Sequence, residues 1–298
     1  MPVLLHAHPA IGFIYDPVLL IGGVAVRAEV VGAVLAIALG IVAAAIMAGG
    51  TPIRLEHPAR WFDEASGELN HLRRDDLLYI TVAAFPGAVV GGRLGYALIH
   101  LDYFTANPGL LWDIGHGGFE LALGVVGGVV TAAIVAGLLG APLGRWLHAL
   151  ILPLLLTLAV AKLAMASGGA GQGVPFDGDW ATSYLGDGPW DSLAPAIPSH
   201  PAQLYEAAAT GLVALVLLVL MAARRFNRRN GAAFLLGITL WAIARAAVAS
   251  LWRDPVVAAG LRMEQLVCIA IAFLAGLALV IVVGLGIARR MDGAETSA

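Results

Sequence analysis

The chain of 298 residues is 60% hydrophobic and only 12% charged, with mean hydropathy +0.87 and a formal net charge of −3. Soluble domains carry about a quarter charged residues, so this composition excludes a soluble domain and places the chain in a bilayer. The weak negative charge offers nothing to nucleic acid, and the single cysteine, Cys268, excludes an internal disulfide framework or a cysteine-based metal site.

Residues 1–27, with His6, His8, Asp16 and Arg27, read as an interfacial lead-in and lack the basic n-region of a cleaved signal peptide. Apolar segments follow at 28–49, 78–100, 119–139, 147–167, 202–223, 231–251 and 263–288. Each is near or above the roughly 20 residues that cross the hydrocarbon core. They predict an all-α integral membrane protein, a seven-transmembrane-helix bundle forming a single polytopic domain over 1–298. Residues 50–77 read as a polar loop and Arg145 as part of a short turn. Residues 168–199 are rich in Gly, Asp and Pro and contain no Lys or Arg, which predicts a small external cap.

Orientation follows from the Lys/Arg bias of the loops. One side collects Arg54, Arg60, Arg73, Arg74, Arg145, Arg224, Arg225, Arg228, Arg229, Arg289 and Arg290, and the other only Arg27, Arg253 and Arg262. The expected topology is N-terminus outside and C-terminus cytoplasmic, with the cap at the outer surface.

Charges inside the spans are costly and normally face the bundle interior at a site. Arg93, Lys162, Arg245 and Glu206 lie in the outer halves of their spans, and Glu29, Glu120 and Glu264 near outer ends. The site therefore opens toward the outer leaflet. Each group has a plainer reading. Lys162 and the arginines can snorkel to headgroups, the three glutamates can sit at helix N-termini, and His200 before Pro201 can mark a helix start. Trp112, Trp190, Trp241 and Trp252 fit an interfacial aromatic belt.

The segment His200-Pro201-Ala202-Gln203-Leu204-Tyr205-Glu206 opens the fifth span, and at helical spacing His200, Gln203 and Glu206 share one stripe. In the second span, Gly91-Gly92-Arg93-Leu94-Gly95-Tyr96 lets a helix approach closely beside an arginine, with Arg93, Tyr96 and His100 on one face. His116 and Gly117-Gly118 lie before the third span, and Trp241, Arg245, Ala249 and Trp252 share a face in the sixth. Guanidinium groups in an outward-opening cavity suit a phosphate, so a phospholipid or similar amphiphile is the expected ligand.

The seven-residue segment closely resembles the His-Pro-Ser-Gln-Leu-Tyr-Glu signature of bacterial prolipoprotein diacylglyceryl transferases. Gly91–Tyr96 resembles that family's second-span Gly-Gly-Arg-Leu-Gly-Tyr, and Gly117-Gly118 with Gly124 and Gly127-Gly128 the glycine-rich start of its third span. Trp241 with Arg245 is similar to its Tyr-x-x-x-Arg element, and Met263-Glu264-Gln265 to its Met-Gly-Gln. The resemblance covers almost the whole chain in matching order. It implies transfer of a diacylglyceryl group from phosphatidylglycerol to the lipobox cysteine thiol of a prolipoprotein at the outer leaflet of the bacterial cytoplasmic membrane. Glycerol phosphate would leave by direct displacement, with no cofactor, metal or covalent enzyme intermediate. By resemblance Arg93 would position the lipid, Arg245 would stabilise the leaving phosphate and His200 would be a candidate base. Lys162, Tyr96, Gln203, Tyr205, Glu206, Gly117 and Gly118 would bind substrate.

The chain departs from the family pattern at defined points. Ala161-Lys162-Leu163-Ala164-Met165 stands where the family has Gly-Arg-x-x-Asn, so Lys162 keeps the charge without the planar fork. Ala122 replaces a His or Tyr unless His116 takes that role through a shift, Glu29 an aromatic, Ala249 a glutamate one turn after Arg245, and Ser199 an arginine before the motif. These departures leave open a divergent paralogue that binds or modifies another amphiphile, with or without catalysis. A transporter is the third reading, against which stands the lack of charge in the cytoplasmic halves of the spans.

Overall fold

The structure, a computed structural model, describes residues 11–49, 52–53, 70–113, 118–226 and 230–295. His116, Gly117, Arg54, Arg60, Arg228 and Arg229 lie outside them. The chain begins with β1 (Ile11–Phe13) and a hairpin, β2 (Val18–Ile21) and β3 (Val24–Arg27), then α1 (Ala28–Gly49) and the short pair β4 (Pro52–Ile53) and β5 (Asn70–His71). Next come α2 (Arg74–Ile99), a short α3 (Leu101–Ala106), a 3-10 turn at Pro108–Trp112, α4 (Leu121–Leu138) and α5 (Leu143–Gly168). The remainder is β6 (Thr182–Tyr184), α6 (Ala202–Ala222), α7 (Ala232–Ala249), β7 (Val256–Ala258), β8 (Leu261–Arg262) and α8 (Met263–Glu295).

Seven of these helices, α1, α2 and α4 to α8, are long and apolar enough to cross a membrane, so the chain is a multi-pass, all-α membrane bundle. Their bounds follow the sequence reading to within a few residues at most ends. Helix α2 starts at Arg74, earlier than expected, because Asp75 and Asp76 occupy its first turn, where carboxylates are favoured. Helix α5 starts at Leu143 after Pro142, so Arg145 belongs to a helix and is buried rather than lying in a turn. The lead-in is not featureless. Gly22 and Gly23 at φ 59° and 83° supply the left-handed turn of the β2–β3 hairpin.

Hydrophobicity does not drive helices together in lipid, so close packing of small residues does. Helices α2 and α4 form the most intimate pair. A side-chain carbon on Gly87 would run into the Gly127 carbonyl, one on Gly91 into the Leu123 carbonyl, and one on Gly127 into the Gly87 carbonyl. Helices α1 and α5 pack similarly, with Gly32 against Ala164 and Gly40 against Thr157. Helices α5, α6, α7 and α8 enclose a core of Ile151, Leu155, Leu217, Ile238, Trp241 and Cys268. Contact between the α2–α4 pair and α1 or α5 is sparse, and a cavity of about 740 Å³ lies there.

The cap covers one end of the bundle. Strand β6 pairs in parallel with β1, so the start of the chain is stitched to the segment after α5. Tyr184 is buried under the cap and stacks on Phe13 with ring centroids 5.0 Å apart. Its hydroxyl donates to the Ala166 carbonyl at 2.9 Å and accepts from Gln203 Nε2 at 2.9 Å, joining cap, α5 and α6. Arg253, after α7, clamps the cap by donating to the Gly173 carbonyl and to Ser199 Oγ, each at 2.7 Å. Tyr184→Phe should cost about 1–3 kcal/mol, the penalty of orphaning buried partners, read as a lower Tm in detergent. Burial holds the Tyr184 hydroxyl above the usual tyrosine range. Its contribution is therefore complete below about pH 10 and fades as alkaline pH ionises it.

Candidate functional site

Four helices and one loop bring their charges to one place just beneath the cap. Arg245 of α7 sits at the centre with its side chain only 1% exposed. Its Nη1 donates to Glu206 Oε1 of α6, while Nη2 lies 3.4 Å from Glu120 Oε1 and 3.4 Å from Glu264 Oε1. Lys162 Nζ of α5 forms an ion pair with Glu206 Oε2 at 3.0 Å. The indole of Trp252 covers both cations, with Lys162 Nζ 5.0 Å and the Arg245 guanidinium carbon 4.7 Å from the ring centroid. A buried ion pair survives in a low-dielectric interior only when its partners are well placed, which is what five converging elements provide.

Each residue is placed by a local rule. Glu120 is the N-cap of α4, and its two carboxylate oxygens accept from the Ala122 and Leu123 backbone N–H groups at 2.6 Å each. Its own N–H donates to the Gly92 carbonyl at 2.8 Å, fixing the α4 start against α2. Glu264 lies in the first turn of α8, and Gln265 folds back to accept from the Arg262 N–H at 3.0 Å. Lys162 and Glu206 lie on facing turns of α5 and α6, inside the apolar part of the bundle.

The cavity begins at this cluster. Glu120, Lys162, Arg245, Trp252 and Glu264 form its polar end, together with Met165 and Gly171. From there the wall is apolar and comes from α1, α2, α4 and α5, down to Ala44, Ala136 and Trp146 at the opposite end. Between Lys162 and Trp146, α5 rises about 24 Å. A bilayer core is about 30 Å thick, so the cavity is long enough to run through more than half of one.

The structure distributes the sequence-predicted residues over three environments. Glu206, Lys162 and Arg245 meet in the ionic cluster. Gln203, one turn earlier on α6, supports Tyr184. His200 stacks on Phe176 with centroids 4.0 Å apart, and its Nδ1 lies 3.3 Å from the Tyr205 hydroxyl, which also accepts from Trp180 Nε1 at 2.7 Å. His200, Gln203 and Tyr205 are not among the described residues of the cavity wall. The single stripe expected at His200, Gln203 and Glu206 thus points to the rim, the cap joint and the site in turn.

Arg93 does different work from Arg245. Its Nε donates to the Leu111 carbonyl at 3.0 Å, and its Nη atoms donate to the carbonyls of Leu110, Asp113 and Gly118, the last two at 2.9 and 3.1 Å. The guanidinium also lies over the rings of Tyr96 and Phe104. It holds the loop between α3 and α4, with Gly118 at φ 78°. Tyr96 packs on His100 with centroids 4.1 Å apart and ring planes tilted by 35°, so the predicted Arg93–Tyr96–His100 face exists. Sequence reasoning read Glu120 and Glu264 equally as helix-start residues and as site charges, and Trp252 both on the face of Arg245 and as a belt aromatic. The available signal was depth, since all three lie at the level of Arg245.

A profile of the prolipoprotein diacylglyceryl transferase family matches residues 26–282. A protein from Geobacter sulfurreducens is 30% identical over 220 residues, covering 71% of this chain and 80% of that protein. One from Methylibium petroleiphilum is 31% identical over 218 residues, covering 68% and 76%. One from Nitrobacter hamburgensis is 30% identical over 198 residues, 63% of this chain and 62% of that protein, so the match spans less than two thirds of its length. All three carry the name phosphatidylglycerol–prolipoprotein diacylglyceryl transferase. With a family match across most of its length, on a seven-helix bundle, this chain belongs to the prolipoprotein diacylglyceryl transferase family.

Proposed function

We infer that this chain transfers the diacylglyceryl group of phosphatidylglycerol to the lipobox cysteine thiol of a prolipoprotein. The observation that carries the reading is a buried Arg245–Lys162 pair at the head of a deep apolar cavity, in a chain of this family. An anionic headgroup would meet the two cations and the acyl chains would fill the cavity. The arginine bias of the loops supports a cap facing outward, which puts the cluster at the level of the outer leaflet of the cytoplasmic membrane.

In this reading the cysteine Sγ attacks the glycerol carbon that bears the phosphate. Arg245 and Lys162 exchange part of their pairing with Glu206 for the phosphate oxygens as the carbon–oxygen bond breaks. Preorganised cations at developing charge in a dry site supply the largest share of such catalysis. Arg93 acts by holding the loop that leads into Glu120. The test is purified protein in phosphatidylglycerol vesicles with a lipobox peptide, read by mass spectrometry. The expected product is a peptide carrying one diacylglyceryl group, formed only when the peptide has its cysteine and the vesicle its phosphatidylglycerol. A folded protein that yields no such product contradicts the reading.

The cavity adds a specificity prediction. Ala133 lines it on α4. Ala133→Phe fills its middle and should shift preference toward short-chain phosphatidylglycerol. Each methylene excluded forfeits about 0.8 kcal/mol, so two amount to about tenfold in relative kcat/KM. Competition between long- and short-chain donors in mixed micelles measures it.

A further inference from the structure

The ionic cluster is unbalanced, with Lys162 and Arg245 facing three carboxylates, Glu120, Glu206 and Glu264. Two of the three have both oxygens engaged, one in a helix cap and one in ion pairs. Glu120 uses both oxygens to cap α4, at 2.6 Å each. Glu206 meets Arg245 with one oxygen and Lys162 with the other. Glu264 is the remainder. One oxygen lies 3.4 Å from Arg245 Nη2, and the other, Oε2, is buried without a hydrogen-bond partner among the described residues. Glu264 also lines the cavity, where a reacting group would come to it.

We propose that Glu264 is the general base of the transfer reaction in this chain; the proposal rests on the transferase reading above. Glu264 Oε2 takes the proton of the incoming cysteine thiol as Sγ forms its bond to the glycerol carbon. The bond between that carbon and the phosphate oxygen breaks, and its electron pair leaves with glycerol phosphate. Glu264 then passes the proton to a phosphate oxygen of the departing glycerol phosphate, so the carboxylate is regenerated and no other reactant is consumed.

Geometry favours Glu264 over the other candidates. A base must reach the proton it takes, and it must be free to change its proton occupancy. Glu120 and Glu206 would break a helix cap or the central ion pair in doing so. His200 stacks on Phe176 beneath Trp180 and Tyr205, away from the cavity wall. The charges acting on Glu264 are Arg245 from α7, Lys162 from α5, Glu120 from the start of α4 and Asp254 from the loop after α7, with Glu206 beyond Arg245. On its own helix the neighbouring titratable group is Cys268, one turn on.

Glu264→Gln keeps the size and one hydrogen-bonding oxygen but removes the base. In phosphatidylglycerol vesicles with a lipobox peptide at pH 7, kcat should fall by roughly 10²–10⁴-fold, with the KM for lipid moving far less. The variant should recover rate steeply as pH rises toward the thiol pKa of about 8.5, because the thiolate then forms without help. Glu264→Ala should regain part of its rate with added formate, which a purely structural role would not allow. A Gln variant with wild-type kcat overturns the proposal, as does a Gln variant equally impaired at pH 7 and pH 9 together with an Ala variant that formate does not rescue. If folded wild-type protein transfers nothing, the transferase reading itself fails.

Discussion

Arg245→Ala should reduce diacylglyceryl transfer by roughly 10²–10³-fold, the usual loss when one preorganised donor to the developing charge is removed. Arg245 is fully buried and is the only side chain that meets Glu120, Glu206 and Glu264 together among the described residues. Removing it leaves Lys162 alone with three carboxylates. Arg245→Lys should retain a little activity, since an ammonium keeps the charge but cannot address two carboxylates and a phosphate with a planar fork. The structural and catalytic parts of the loss separate in a double variant. Glu206→Gln in the Arg245→Met background relieves one uncompensated charge, so it should restore thermal stability by more than about 1 kcal/mol of coupling energy. Transfer should stay lost. Thermal unfolding in detergent and peptide lipidation measure the two separately.

Gly127→Ala should destabilise the bundle severely, while Gly137→Ala on the same helix should be neutral or slightly stabilising. The two differ only in surroundings. A methyl on Gly127 meets the backbone of Gly87 and the Gly91 Cα at 3.1 Å, whereas nothing lies within 4 Å of the same atom on Gly137. Backbone cannot rotate away as a side chain can, so α2 and α4 must separate, at about 3 kcal/mol, the upper end for overpacking. Gly137→Ala gains roughly 0.5–1 kcal/mol of helix propensity in exchange. The separation would also move Glu120, whose N–H is bonded to the Gly92 carbonyl of α2, so transfer should fall along with Tm in the first variant alone.

The seven helices were legible because apolar length is a local property. The span expected at 28–49 coincides with α1, and the others deviate mainly where a residue such as the N-cap Pro142 or the first-turn Asp75 shifts an end. The pairing of β1 with β6 was not legible, since it joins residues about 170 apart in the chain with only three pairs in register. Depth along a helix could be read for Arg93 and Arg245 alike, but rotation about the helix axis relative to neighbours could not. Arg93 therefore turns out to hold a loop by its carbonyls, and Arg245 to hold carboxylates. The same limit separates Gln203 from Glu206, which share a stripe yet reach Tyr184 and Arg245 respectively. Spacing put Trp252 on the face of Arg245, but its position over both Lys162 and Arg245 depends on the bend of the chain after α7.

The most direct measurement is lipidation of a cysteine-containing lipobox peptide by wild-type and Arg245→Ala protein, each shown to be folded in phosphatidylglycerol vesicles. The account predicts one diacylglyceryl group per peptide from the wild type and at least about 100-fold less from the variant. Equal transfer by the two proteins, or none by the wild type, would contradict it.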